Sequence, residues 1–292
     1  MASAAKVALI TGGASGIGLA VVVRLLESGW NCTILDFNLQ HLEEAKQKLG
    51  PQVLFIKCNV ANYDEQSRAF VQSWEKWRRL DFVFANAGIG DRIDWLQPAK
   101  ELPNGSPEKP DMMVVDICLT GAAYSSYLGL HYFRKYSSPG GKIVFTSSQA
   151  GLYPHGRGTM YTAAKHAIVG LTRSMGKRLG SDTIPITANC VCPGAVITNI
   201  RADAVNQATP PEHETPISTV VRAVEQCLED DSFQGRVLEC SGGNIHNVPI
   251  REYPDETTKA LWSGGHRDKI DQELLAKQMA EKRAIIARNL VH

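Results

Sequence analysis

Thr11-Gly12-Gly13-Ala14-Ser15-Gly16-Ile17-Gly18 joins an apolar run at 6–10 to an amphipathic run at 17–28. The first reads as a strand and the second as a helix. Glycines are needed where the backbone takes positive φ or where a Cβ would block a phosphate. A helix that starts at such a turn aims unpaired N–H groups and its positive dipole end at it, which suits a pyrophosphate. Outward from this turn the alternation repeats. Strands are expected at 31–36, 53–58, 81–86, 142–147, 186–191 and 235–240, and helices at 39–49, 64–77, 112–135, 159–179 and 218–229. This βαβ rhythm requires a parallel sheet covered on both faces, an α/β, doubly wound sheet of seven strands. Residues 90–111, broken by Pro98, Pro103, Gly105, Pro107 and Pro110, read as a loop. The expected organisation is one domain over 1–245 and a C-terminal helical extension over 246–292, packed on the domain or on a partner subunit, with a charged helix near 268–289.

The chain has 292 residues, 43% of them hydrophobic and 21% charged, with a formal net charge of +1. No run of one sign suggests nucleic acid or an anionic membrane surface as a partner. No apolar stretch approaches the roughly 18–20 residues of a spanning helix, so no membrane is expected, and the N-terminal run lacks the long apolar core expected of a secretion signal. Seven cysteines without a CxxC pair suggest free thiols in a reducing compartment, with the cytoplasm as the expected location. The nearest pair, Cys190 and Cys192, is expected on opposite faces of a strand. Eight histidines show no ligand spacing, so no metal is expected.

Asp36 ends the second strand, eighteen residues beyond Gly18. A carboxylate there accepts hydrogen bonds from ribose 2′- and 3′-hydroxyls and repels a 2′-phosphate. No arginine follows in Phe37-Asn38-Leu39, so NAD is favoured over NADP. Tyr161-Thr162-Ala163-Ala164-Lys165 sets a phenol and an ammonium four apart, on one helix face. A free phenol ionises near pH 10, too high for a base at neutrality, and a nearby ammonium favours the phenolate.

These motifs fall in order with Asn86-Ala87-Gly88, Ser147-Ser148 and Pro193-Gly194-Ala195-Val196-Ile197-Thr198. Together they resemble the short-chain dehydrogenase/reductase family, a Rossmann fold, over about residues 5–245. Tyr127-Leu-Gly-Leu and the run at 165–173 are most similar to NAD-linked hydroxyprostaglandin dehydrogenases and to fungal secondary-metabolite dehydrogenases. The resemblance implies an oxidoreductase in which Tyr161 is the general acid/base and Lys165 holds the nicotinamide ribose. Ser148, thirteen residues before Tyr161, would bond the substrate oxygen. Gly12, Ser15, Gly16, Ile17 and Gly18 would cradle the phosphates. Asn59 and Val60 would flank the adenine, and Asn86 and Gly88 the adenosine ribose. Pro193, Val196 and Thr198 would hold the carboxamide. Asn59 stands where the family usually has aspartate, and Cys118 where it has a catalytic asparagine that holds a helix kink and a water.

The resemblance places specificity in the loops, with Trp95, Gln149, Tyr153 and His155 as substrate residues and 199–216 as a lid. Aromatic residues there favour a bulky, largely apolar alcohol or ketone such as a terpenoid, polyketide or oxygenated lipid. A homodimer is implied through the helices at 112–135 and 159–179, whose apolar faces include Tyr124, Leu128, Tyr132, Ile168 and Leu171. The competing reading, motivated by Cys118, is a cofactor-binding protein of the same fold with a scaffold or non-redox role.

Overall fold

A computed structural model describes residues 5–135, 140–156, 158–198, 200, 207, 209–263 and 272–289. Its strands are β1 (Val7–Thr11), β2 (Asn31–Asp36), β3 (Val53–Lys57), β4 (Phe82–Ala85), β5 (Gly141–Thr146), β6 (Ile186–Pro193), β7 (Val237–Ser241) and β8 (Asn244–Asn247). They form one sheet in the order β3-β2-β1-β4-β5-β6-β7-β8. The seven expected strands are parallel.

Every residue of β1, β4 and β6 is buried, because helices cover both faces of the sheet. The pleat sends alternate side chains to two cores. Ala8, Ile10, Phe82 and Phe84 meet helices α1 (Gly16–Glu27), α2 (Leu39–Lys48) and α6 (Ile217–Glu229). Leu9, Val83 and Ala85 meet α3 (Tyr63–Trp77), α4 (Met113–Lys135) and α5 (Thr159–Leu179).

The structure corrects several expectations. An eighth strand, β8, pairs antiparallel with β7 after a tight turn at Gly242, whose φ of +52° favours glycine. Residue 245 lies inside β8, so the boundary expected there moves. The first compact unit runs to Val248, and a second covers Pro249–His292. In the second, α7 (Glu256–Trp262) is capped by Asp255, which accepts from the Thr258 amide, and α8 (Gln272–Asn289) matches the expected charged helix. Residues 268–271 of that expected helix lie outside the described residues.

Cys190 and Cys192 share a face, since strand alternation brings i and i+2 together; both lie in one core and Val191 in the other. All seven cysteines are free and buried. Leu128 and Ile168 are core residues packed on the sheet, so neither offers a dimer face, while the part-buried Tyr132 lies against Phe70 and Trp74. By length and apolar composition Met113–Lys135 could cross a membrane, contrary to the sequence reading. Here its apolar side chains Ala122, Leu128 and Phe133 fill the core on the α3–α5 side of the sheet. The helix is also not uniform, because Asp116–Gly121 forms a π-turn within it.

Candidate active site

A cavity of about 970 Å³ opens at the carboxyl ends of the strands, where connections leave β1 for β2 on one side and β4 for β5 on the other. Such a switch point is where open α/β sheets bind ligands. Gly12, Ser15, Gly16 and Ile17 line it. Gly12 has φ +63° and Gly16 φ +53°, a region costly for other residues. Gly18 lies outside the lining and serves packing: a Cβ there would run into the Gly12 carbonyl oxygen. The side chain of Ser15, at the start of α1, makes no cap bond. The first amides of α1 therefore remain available to an anion in the cavity. A phosphate-bearing group fits this cradle.

Asp36 also lines the cavity and holds the turn, accepting from the amides of Ala14 (3.2 Å) and Asn38 (3.0 Å). A carboxylate has about four acceptor sites, so two remain for ribose hydroxyls. Asn59, in the lining, uses its Oδ1 on the Ala61 amide (3.1 Å). Val60 beside it is fixed from behind. The buried Gln66 amide donates to the carbonyls of Val60 (2.6 Å) and Gly121 (2.9 Å), and a Cβ at Gly121 would crowd Val60. Asn86 lines the cavity but its side chain is a strut. It donates to the carbonyls of Thr11 and Gly12 and accepts from the Thr146 hydroxyl (2.9 Å).

Tyr161, Lys165 and Ser148 meet on the same lining. The Lys165 side chain is buried, and its Nζ donates to the Thr146 carbonyl at 2.8 Å and lies 5.5 Å from the Tyr161 ring centroid. Gly88 lies beside this ammonium, where a Cβ would make an ordinary contact at 3.5 Å. Ser147 spends its hydroxyl on the Lys165 carbonyl (2.8 Å). Ser148 accepts from the Ala150 amide (3.1 Å), which leaves its own O–H free to donate.

Cys118 lies behind the lining, where its Sγ would be 3.4 Å from a Cβ at Gly88. Its thiol donates to the Ile89 carbonyl (3.4 Å) and accepts from the Ile89 amide (3.5 Å). Cys118 sits in the π-turn, so the helix irregularity is present with cysteine at this place. Pro193 at the end of β6, with Val196 and Thr198 beyond it, lines the cavity, and the Thr198 methyl would be 3.2 Å from a Cβ at Gly16.

The four expected substrate residues are not in this lining. Gln149 and Tyr153 are both bound to Glu239, by Nε2–Oε1 (2.9 Å) and Oη–Oε2 (3.0 Å). Trp95 and Tyr153 are 38% and 54% exposed, and His155 closes a short turn before α5 through Gly158. Of the expected lid, Ile200 lines the cavity, and most of 199–208 lies outside the described residues. The wall that sequence reasoning missed comes from Arg92 and from 109–113, 116 and 117. Within 90–111, residues 100–108 fold back on themselves in a short hairpin. Glu101 bridges Pro107, Leu102 donates to Ser106, and Gly105 takes φ +80°. Asn104-Gly105 was the available signal. Asp91, bound to the start of α5, had none.

The sequence profile described as short chain dehydrogenase matches residues 6–209. The short-chain dehydrogenase/reductase prx7 of Penicillium rubens is 34% identical over 242 residues, 81% of this chain and 84% of that protein. The 15-hydroxyprostaglandin dehydrogenase (NAD(+)) of Rattus norvegicus is 34% identical over 263 residues, 82% of this chain and 93% of that protein. Among solved structures, levodione reductase superposes with a TM-score of 0.68 at 28% identity, covering 82% of this chain and 96% of that one. With its cavity at the switch point and a profile match over more than half its length, the chain belongs to the short-chain dehydrogenase family, oxidoreductases that bind a nicotinamide cofactor.

Proposed function

We propose that this enzyme is an NAD-dependent dehydrogenase acting on the secondary hydroxyl, or the corresponding ketone, of a bulky and largely apolar molecule. The observation that carries the reading is the shared lining. Ser148, Tyr161 and Lys165 stand in the same cavity as the Gly12–Gly16 cradle and Asp36. When bound, the dinucleotide supplies the hydride acceptor or donor. The Ser148 O–H donates to the substrate oxygen and fixes its position. The Tyr161 phenol oxygen takes the hydroxyl proton during oxidation and returns it during reduction. The buried Lys165 ammonium lies beside the Tyr161 ring and, with Tyr161, would hold the nicotinamide ribose. Gly12, Ser15, Gly16 and Ile17 would hold the phosphates, and Val60 and Asn59 would border the adenine. Gly88 would border the ribose, and Pro193, Val196 and Thr198 the carboxamide.

NAD is favoured because Asp36 brings a negative charge to the place where a 2′-phosphate would sit. The apolar substrate is supported by Ile89, Met112, Met113, Ile117 and Ile200 in the lining, and by the hydroxylated lipid in the name of the rat relative. Exposed Tyr127 on α4, 65% accessible, suits a homodimer contact, to be checked by light scattering. The free, buried thiols suit a reducing compartment.

The test is a panel of hydroxylated lipids, terpenoids and polyketides with NAD or NADP, followed at the absorbance of the reduced nicotinamide. Turnover with NAD that Tyr161→Phe abolishes is expected. Tight dinucleotide binding without turnover of any substrate defeats the reading.

A further inference from the structure

Helix α5 carries both Tyr161 and Lys165, yet it begins without a cap of its own. Its N-cap position is Gly158, which has no side chain to offer. The first amides of a helix have no partner within it, and an uncapped start frays. Asp91, seventy residues away in sequence from Tyr161, supplies what is missing. Its Oδ1 accepts from the Tyr161 amide at 2.8 Å and its Oδ2 from the Met160 amide at 3.0 Å. The carboxylate therefore grips the backbone of the tyrosine itself, at the end of α5 where its negative charge meets the positive end of the helix dipole.

The neighbours of Asp91 make this grip part of a larger one. Two residues earlier, Ile89 exchanges hydrogen bonds with Cys118 in the π-turn of α4. One residue later, the Arg92 guanidinium pairs with Asp111 (2.9 Å), which accepts from the Met113 amide (2.8 Å) at the start of the same helix. Within four consecutive residues, Ile89, Asp91 and Arg92 thus tie together both helices that carry the family's catalytic positions. Ile89, Gly90 and Arg92 also line the cavity, so the segment joins the ligand wall to the two helices.

We propose that Asp91 is a positioning residue, and that Ile89–Arg92 is a clasp holding Tyr161 in register with Ser148 and Lys165. The proposal rests on the reading of Tyr161 as the acid/base. Its effect on rate follows from geometry, since a displacement of about 1 Å at a reacting group can cost on the order of 100-fold.

The test uses the full chain with Asp91→Ala and Asp91→Asn, following residue-resolved amide hydrogen exchange, steady-state kinetics and thermal unfolding. In Asp91→Ala, exchange at Met160 and Tyr161 should quicken by on the order of tenfold, with the middle of α5, at Leu171, unchanged. The kcat should fall on the order of 10- to 100-fold, with the KM for NAD within about twofold. Asp91→Asn keeps one acceptor oxygen and should recover part of the loss, and it serves as the working variant if the alanine form does not fold. Unchanged exchange at Met160 and Tyr161, or an unchanged kcat in Asp91→Ala, overturns the proposal. So does a loss in Asp91→Asn equal to that in Asp91→Ala. A wild-type chain that turns over no alcohol defeats the catalytic reading of Tyr161 instead; the clasp is then decided by the exchange rates alone.

Discussion

The Lys165 ammonium donates to the carbonyl of Thr146 at 2.8 Å, and the hydroxyl of the same threonine donates to Asn86 at 2.9 Å. Asn86 in turn reaches the carbonyls of Thr11 and Gly12. One residue at the end of β5 therefore fixes the lysine with its backbone and the glycine turn with its side chain. The two functions separate by mutation. Thr146→Val keeps the carbonyl and the shape but removes the donor to Asn86. We expect a stability loss of about 1–2 kcal/mol from an unmet acceptor and a severalfold higher KM for the dinucleotide. The kcat should stay within about twofold, because the Lys165 bond is retained. Denaturant unfolding and initial rates check both.

Local and periodic features were legible in the sequence. The strand–turn–helix around Gly12–Gly18 depends on neighbours in the chain, and the Tyr161–Lys165 spacing depends only on helix geometry. Contacts between distant residues were not legible. Nothing near Gly158 announces that Asp91 caps α5, and nothing near Gln149 announces Glu239. The apolar stripe at Leu128 and Ile168 was visible, but periodicity cannot say whether the sheet or a partner covers it. The sheet covers it here. The strand β8 was missed because Asn244–Asn247 is short and largely exposed, so its pattern is polar. Its existence depends on pairing with β7, which a reading of residues in isolation does not see.

Cys118 gives a second prediction. Its thiol is the side-chain partner of both backbone groups of Ile89, and sulfur bonds are weak. Cys118→Ala should cost little stability in bonding, on the order of 1 kcal/mol, yet loosen Ile89 in the cavity wall. The expected result is a kcat lowered severalfold on the reading that this position supports proton exchange at Lys165. Cys118→Asn should shift the pH profile of kcat. An unchanged rate and profile in the asparagine variant removes this position from the proton path.

Glu239 gives a third. It binds Gln149 with one oxygen and Tyr153 with the other, and the hydrogen bond and charge of Glu239 raise the Tyr153 phenol above its ordinary value near 10. The raised value means that the neutral phenol is the form held in the fold, and that this bond is lost as pH rises through the ionisation of Tyr153. Removing the carboxylate charge should let the phenol ionise at lower pH. Ultraviolet titration of Glu239→Gln against wild type, with Tyr153→Phe to identify the signal, measures the shift.

Burial gives the last prediction. It pushes Cys32, Cys58, Cys227 and Cys240 up to about 12, against roughly 8.5 in an unfolded chain. Each folded value is raised, so each thiol binds its proton more tightly in the fold. The stabilisation is complete below about pH 8.5 and is lost as pH climbs toward 12, where the unfolded chain has already released its protons. The slope reaches about 1.4 kcal/mol per pH unit for each thiol once the unfolded form is ionised. Denaturant unfolding should therefore show stability insensitive to these groups near neutrality and falling steeply above about pH 9. Replacing Cys227 and Cys240 with alanine should flatten that decline, though at a cavity cost near neutral pH. A thiol reagent at pH 8 should leave the buried cysteines of the native protein unmodified and react with all seven after unfolding. Rapid labelling of the native chain, or an alkaline slope unmoved by the double alanine variant, contradicts this account.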